Sequence, residues 1–177
     1  MLQLNKPKRF DDIIAVHINA AYNLARWLTK NDHDAEDVVQ ESFVRAYQFY
    51  GGFRGGDSRA WLMRIVRNTC YTWLDKNKAA RQVEFNCDEH INAASDDPTP
   101  EAVLLRNIES QILKAAIEQL PPEFREILIL RDLEDLSYKE IAEIVSIPIG
   151  TVMSRLARAR KRVAHSISAE QELTNEL

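Results

Sequence analysis

Five basic residues and no acidic residue lie between Gly150 and His165, and this is the clearest concentration of one chemistry in the chain. Arginine donates paired hydrogen bonds to phosphates and to base edges, so the segment indicates nucleic-acid binding. If the segment is helical, Thr151, Arg155, Arg158 and Arg162 share one stripe, with Ser154 beside them. The alternative is a solvated basic helix that ends a small bundle.

The residues around this segment predict a helix-turn-helix across 136–163. Ser137 and Glu140 have the spacing of a capping box, which predicts the start of a first helix. Pro148 suits the first position of a second helix. Apolar residues then recur at three- and four-residue spacing, which predicts a core-facing stripe. Its members are Val152, Leu156, Ala159 and Val163. In this motif the second helix enters a major groove.

A second candidate site combines a glycine-rich loop with a basic, aromatic helix. Four of the five glycines lie within 51–56, and residues 54–81 carry seven basic against two acidic residues, a net charge of +5. Single-stranded nucleic acid is bound by such mixtures, because aromatic rings stack on bases and arginines pair with phosphates. The alternative for Trp61 and Trp73 is that each belongs to the core.

A third segment, 31–41, carries five acidic residues and no lysine or arginine. It could bind a basic partner surface, but from the residues alone a solvated helix start with favourable dipole chemistry is the better explanation. Catalysis is not indicated, since the four histidines are scattered and no GK[ST] follows the glycines. We therefore expect a protein that is not an enzyme, with no cofactor and no metal.

The charge distribution, the cysteines and the N-terminal hydropathy indicate the broad class of protein. The net charge of −4 conceals an uneven distribution of charge along the chain. Residues 82–109 carry seven acidic residues against one basic, a net of −6. Cys70 and Cys87 form no CxxC, which favours reduced thiols in a cytoplasmic protein. The N-terminus lacks a long apolar run, so we expect no signal peptide and no membrane insertion.

Periodicity and breakers predict an all-α fold with two small helical domains joined by a flexible acidic linker. The predicted domains are 1–80 and 101–168, with the linker at 81–100 and a disordered tail at 169–177. Within the domains we expect helices over about 10–29, 35–50, 59–78, 101–119 and 123–132, followed by the helix-turn-helix. Ser58 is expected to cap the third helix.

Three segments together resemble one family. DAEDVVQESFVRAY, FRGGDSRAWLMRIVRNTCYTWL and LPPEFREILILRDLEDLSYKEIAEIVSIPIGTVMSRLARARKRV, in this order, resemble an extracytoplasmic-function (ECF) RNA polymerase sigma factor. The resemblance covers residues 10–166. It implies that 1–80 binds core polymerase, recognises the −10 element and opens the strands, and that 101–168 recognises the −35 element. It also implies an anti-sigma factor as a partner.

The resemblance assigns residues to three surfaces. The surface for the clamp helices of the largest polymerase subunit would comprise Asp34, Asp37, Gln40, Glu41 and Phe43. The surface for the −10 element, including a flipped base, would comprise Phe53, Arg54, Arg64, Arg67, Asn68 and Tyr71. The surface for the −35 element would comprise Thr151, Ser154, Arg155, Arg158 and Arg162.

Two other functions remain open at this point. A stand-alone helix-turn-helix regulator would bind duplex DNA tightly without polymerase, at a palindromic site if it dimerises. A mimic that only titrates an anti-sigma factor would have no need of the basic last helix. The sigma-factor interpretation requires both duplex and single-stranded promoter DNA as partners.

Overall fold

The structure, a computed structural model, describes the backbone of residues 9–78 and 100–175 and the side chains of 9–78 and 108–170. The predicted linker at 81–100 lies outside the described residues, apart from its last residue. The described residues are helical or form turns, as the all-α prediction requires. Within them no helix is long and apolar enough to cross a bilayer.

The first group of helices contains α1 (Phe10–Thr29), α2 (Asp32–Phe49) and α3 (Ser58–Lys76). A 3-10 turn, Tyr50–Gly52, follows α2. The prediction for α1 is confirmed, but α2 begins three residues before the predicted start. The reason is Asn31, whose side-chain oxygen accepts a hydrogen bond from the Asp34 backbone N–H at 3.1 Å and so caps the helix earlier.

The cap of α3 also differs from the prediction. Asp57 rather than Ser58 is the N-cap, and its carboxylate accepts from the N–H groups of Arg59 and Ala60 at 2.9 and 3.1 Å. Ser58 is buried instead, and its hydroxyl lies 3.2 Å from Nε2 of His17 on α1. The serine therefore ties α3 to α1 rather than capping α3.

The second group contains α4 (Pro100–Glu118), α5 (Pro122–Leu128), α6 (Tyr138–Val145) and α7 (Ile149–Asn175). A π-helical turn, Ile129–Leu133, extends α5. These helices confirm the predicted order and the helix-turn-helix, which α6 and α7 form. Two boundaries were predicted wrongly.

Pro148 lies just before α7, where its carbonyl oxygen accepts from the N–H groups of Thr151 and Val152. It therefore precedes the first helical position instead of occupying it. The predicted disordered tail from 169 is also wrong in its first part, because α7 continues to Asn175. Ala169, Gln171 and Leu173 have high helix propensity, so no residue there stops the helix.

A single cluster of buried apolar side chains runs through both groups. In the first group Leu24, Leu28 and Leu62 are fully buried, and in the second Ile127 and Ile141 are. The two groups pack against each other, with α3 against α6 and α1 against α5. This packing brings the predicted −10 surface of α3 next to the helix-turn-helix.

Candidate nucleic-acid and protein interfaces

The start of the helix-turn-helix has the predicted capping box. The Glu140 N–H donates to Ser137 Oγ at 3.2 Å, and the Ser137 N–H donates to the Glu140 carboxylate at 2.7 Å. Ser146 ends α6 in the left-handed region at φ 60°, which turns the chain sharply toward α7. These local contacts fix where the second helix begins relative to the first.

One face of α7 is apolar and buried and the other is polar, as the sequence predicts. The apolar stripe is buried, and its members are Val152, Leu156, Ala159 and Val163. On the remaining surface Ser154 and Arg158 are exposed, while Thr151 and Arg155 are partly covered. The first turns of α7 therefore present polar side chains to solvent, as an element that enters a DNA groove requires.

Farther along α7, two predicted DNA contacts lie beside a groove. Arg158 and Arg162 line a cavity of about 420 Å³ together with Lys161 and His165. The Arg162 guanidinium carbon stands 4.7 Å from the centre of the Phe124 ring, in a cation–π contact. Arg162 is thus anchored within its own helical group, while its outer face remains exposed.

The predicted polymerase-binding residues lie together on α2. Asp37, Gln40 and Glu41 are exposed, and Asp34 and Phe43 are partly covered. Residues three and four apart occupy one face of a helix, so the carboxylates of 34, 37 and 41 form one acidic stripe.

An exposed apolar patch adjoins this stripe. Val44 is 59% exposed and Tyr47 is 69% exposed, one helical turn beyond Gln40 and Phe43. Glu41 is paired with Arg45 on the same helix. A surface that joins carboxylates to exposed apolar side chains is suited to a protein partner with basic and apolar groups.

The glycine-rich loop between α2 and α3 presents an aromatic and a basic side chain. Gly55 and Gly56 have φ values of 89° and 104°, which side chains other than glycine rarely adopt. The loop exposes Arg54, and the Phe53 ring lies 4.8 Å from the ring of Trp61. Trp61 is partly buried, so it both packs on the core and supports Phe53.

The remaining predicted −10 residues lie along α3, and two of them, Arg64 and Arg67, contact the second helical group. Arg64 Nε donates to the Glu143 carbonyl oxygen at 3.0 Å. Arg67 donates to the Glu126 carboxylate, and its guanidinium carbon stands 4.0 Å from the Tyr71 ring centre. The Asn68 side-chain oxygen accepts from Arg67 at 3.3 Å. The structure therefore brings Arg67, Asn68 and Tyr71 together, whereas Arg64 contacts α6.

Sequence analysis missed four residues that join the two groups: Arg59, Arg125, Glu126 and Glu134. Arg59 Nη2 donates to the Glu134 backbone carbonyl at 2.6 Å and to its carboxylate at 3.1 Å. The one available signal for Glu126 was a charge directly before the apolar run 127–130. Its partner lies 59 residues earlier, so no local spacing could identify the pair.

The described side chains contain no metal-ligating cluster, and the one cysteine among them, Cys70, is buried. Among 9–78 and 108–170, no three His, Cys, Asp or Glu side chains come together as a metal site would need. Cys70 is fully buried, and burial raises its pKa to about 12, with the Glu126 charge adding to the effect. Its thiol is therefore kept protonated and unreactive.

Comparison with known proteins agrees with this arrangement. The family described as Sigma-70 region 2 matches residues 13–80, and the family described as Sigma-70, region 4 matches residues 110–163. The two matched segments coincide with the two helical groups. They define the class of the chain as a sigma factor of the sigma-70 type.

Individual relatives narrow the class. The ECF RNA polymerase sigma-E factor of Haemophilus influenzae is 34% identical, over 94% of this chain and 91% of that protein. The RNA polymerase sigma-H factor of Pseudomonas aeruginosa is 33% identical, over 92% and 88%. The ECF sigma factor SigE of Mycolicibacterium smegmatis is 33% identical, over 87% of this chain but 60% of that protein. The chain belongs to the ECF sigma factors.

Solved structures share the fold. The sigma factor RpoE of Bartonella quintana, in complex with the anti-sigma factor NepR, matches with a TM-score of 0.72 at 27% identity. The match covers 90% of this chain and 96% of that one. CnrH, in complex with the cytosolic domain of CnrY, matches with a TM-score of 0.61 at 24% identity, which supports the fold alone.

Proposed function

We propose that this chain binds core RNA polymerase, directs it to promoters through −35 and −10 elements, and starts transcription in the cytoplasm. The observation that carries the proposal is the pairing of two unlike surfaces in one chain. The acidic and apolar face of α2 suits a protein partner, while the polar face of α7 suits a DNA groove. The order of the two family segments supports the same function.

The acidic stripe of α2 is the proposed polymerase contact. Its carboxylates are solvent-exposed or partly covered, so they can pair with basic side chains of a partner. Complementary charge of this kind raises association rates and fixes orientation more than it adds affinity. The adjoining exposed side chains, Val44 and Tyr47, supply the apolar area that a stable interface buries.

The proposed promoter contacts are divided between the two helical groups. In the first, Phe53 and Arg54 would hold an unpaired base, with Arg64, Arg67, Asn68 and Tyr71 beside it on α3. In the second, the first turns of α7 would read base edges while later arginines contact phosphates. Specificity then arises from duplex readout at one element and strand capture at the other.

An anti-sigma factor is the proposed regulator. The Bartonella quintana relative was solved bound to the anti-sigma factor NepR, and this chain matches it over nearly the whole length of both. An inhibitor that covers the α2 face would block polymerase binding. A competition experiment tests this regulation: we expect an anti-sigma partner at equimolar concentration to displace the chain from core polymerase.

Co-migration tests the proposal before any promoter is known. The purified chain is mixed with bacterial core polymerase and separated by size-exclusion chromatography. The proposal predicts that the chain elutes with polymerase, and that Asp37→Lys shifts it back to the free position. A stand-alone regulator would elute separately in both cases and would bind duplex DNA tightly without polymerase.

A further inference from the structure

The first six residues of α7 carry no charged side chain. Within residues 149–154 only Thr151 and Ser154 have side-chain hydroxyl groups, and the first arginine of the helix is Arg155. The Ser154 hydroxyl donates to the Thr151 carbonyl oxygen at 3.1 Å, so its proton is engaged within the helix. The part of α7 that contacts base edges in a helix-turn-helix therefore has few side-chain donors for them.

Two large apolar side chains in the same turns face solvent. Ile149 is 46% exposed and Met153 is 51% exposed, although Val152 and Leu156 of the same helix are buried. Residues four apart on a helix are neighbours, with Cβ atoms about 5–6 Å from each other. Ile149 and Met153 therefore form one small apolar patch at the start of α7.

This apolar patch is continuous with the surface proposed to recognise the −35 element. The exposed residues of these turns are three or four positions apart, so they form one face, the N-terminal face of α7, which comprises Ile149, Gly150, Met153, Ser154 and Ala157. Ser154 belongs to the proposed −35 contacts, and Arg158, four residues farther on, is another. Base pairs that contact Ser154 therefore lie beside the apolar patch.

Gly150 keeps the N-terminal face of α7 open. No atom from outside its own turn lies within 4 Å of the position that a Cβ would take there. Ala157 adds only a methyl group to the same face. Because small residues allow a ligand to approach the backbone closely, base edges can come within contact distance of Ile149 and Met153.

The base edges of the major groove carry one apolar group, the C5-methyl group of thymine. The other exposed groups of the edges are donors and acceptors, and an apolar side chain leaves such groups unpaired when it excludes water from them. The separation of about 5–6 Å between the two side chains lies between one and two base-pair steps of about 3.4 Å each. The patch therefore suits thymines at neighbouring base pairs.

We propose that Ile149 and Met153 contact thymine C5-methyl groups in the −35 element, on either strand, at one or two neighbouring base pairs. The inference rests on the proposed function and adds apolar contacts to the hydrogen bonds of the polar and basic residues of α7. It makes Met153 and Ile149 specificity-determining residues for the −35 element.

Selection from a random library identifies the element without a known promoter. Duplexes randomised over the two upstream elements are incubated with the full chain bound to core polymerase, and the bound duplexes are sequenced. We expect thymine to be enriched at one or two neighbouring positions of the selected −35 element.

Deoxyuridine then isolates the contribution of the methyl group, because it differs from thymidine only in lacking that group. Replacement of a contacted thymidine should weaken binding of the polymerase complex by about fourfold, the factor that corresponds to burial of one methyl-sized group. Fluorescence anisotropy with labelled duplexes measures the change. In Met153→Ala or Ile149→Ala the same replacement should alter affinity by less than about twofold at the position that each residue contacts, as expected for groups that do not interact.

Leu113→Ala is the matched control variant. Leu113 is 44% exposed on α4 and lies outside the proposed −35 surface, so this variant should keep the full difference between thymidine and deoxyuridine. The comparison is a ratio of affinities for two duplexes. A purely structural effect of Met153→Ala would weaken binding to both duplexes equally and leave the ratio unchanged.

Three results would overturn the inference: a selected −35 element without thymine, equal binding of the two duplexes by the wild-type chain, or a methyl preference that survives in both Met153→Ala and Ile149→Ala. Weaker core-polymerase binding by Met153→Ala with an unchanged methyl preference would also overturn it and assign the patch to a protein contact. In each case the chain still selects an upstream element, so the proposed function stands. Failure to bind polymerase or to select any element would remove the proposed function itself.

Discussion

Arg125 Nη1, on α5, donates to the main-chain carbonyl oxygen of Trp27, on α1, at a distance of 2.9 Å. The same guanidinium donates to the carbonyl oxygens of Glu118 and Leu120, at the end of α4. Arg125 is 3% exposed. A buried cation needs such hydrogen bonds, so this residue joins three helices at one point.

Replacement of Arg125 should therefore be costly. Arg125→Ala leaves several buried carbonyl groups without their donor, and we expect it to lower the free energy of unfolding by about 3 kcal/mol or more. Urea denaturation followed by circular dichroism measures the change. The control is Arg160→Ala, which removes an exposed pair with Asp132 and should cost about 1 kcal/mol or less. Equal losses in the two variants would contradict this role of Arg125.

Cys70 should resist alkylation in the folded chain. Its pKa is raised to about 12 by burial, so at pH 8 almost none of it is thiolate, and the thiolate is the reactive form. We expect iodoacetamide to modify Cys70 only after denaturation, as measured by mass spectrometry of its peptide. Modification of the native chain at the rate found in urea would show that the helix packing around Cys70 opens readily.

Arg155 should contribute to −35 recognition. If it makes a good base contact, Arg155→Ala weakens binding of the polymerase complex to its −35 element by about 1–3 kcal/mol. Fluorescence anisotropy with intact and scrambled −35 elements gives the measurement. Arg160→Ala, on the same helix, is the control because Arg160 faces Asp132. If Arg155→Ala leaves the preference for the intact −35 element unchanged, Arg155 does not belong to the −35 surface.

Asp37 should contribute to polymerase affinity and not to folding. It is exposed on α2, so Asp37→Ala should weaken core-polymerase binding by about 1 kcal/mol or more while leaving the melting temperature unchanged. Glu36→Ala is the matched control, as Glu36 is an equally exposed neighbour outside the proposed contact set. A collapsed melting curve for Asp37→Ala would instead assign Asp37 to stabilising the helix start.

The features that could be predicted from the sequence depend on residues that lie close together in the chain. The capping box of Ser137 and Glu140 depends on residues three apart, and the buried stripe from Val152 to Val163 depends on helical periodicity, so both could be predicted. Caps were less predictable, because Asp57 and Ser58 are both good N-cap residues and the choice between them depends on His17 of another helix.

Long-range contacts explain what the sequence could not predict. Glu126 lies directly before the apolar run 127–130, and its burial is explained by its pairing with Arg67, which belongs to the other helical group. The basic character of α3 correctly indicated a charged surface. It could not show that the second group covers that surface, because the packing between the groups is not encoded in any local spacing.

Reconstituted transcription measures whether this chain directs core polymerase to promoters. Purified core polymerase is incubated with fragments of bacterial genomic DNA, with and without this chain, and the new transcripts are sequenced. We expect chain-dependent start sites that share two spaced upstream elements. If the chain binds neither core polymerase nor promoters and no dependent transcript appears, the assignment as a promoter-specificity subunit is contradicted.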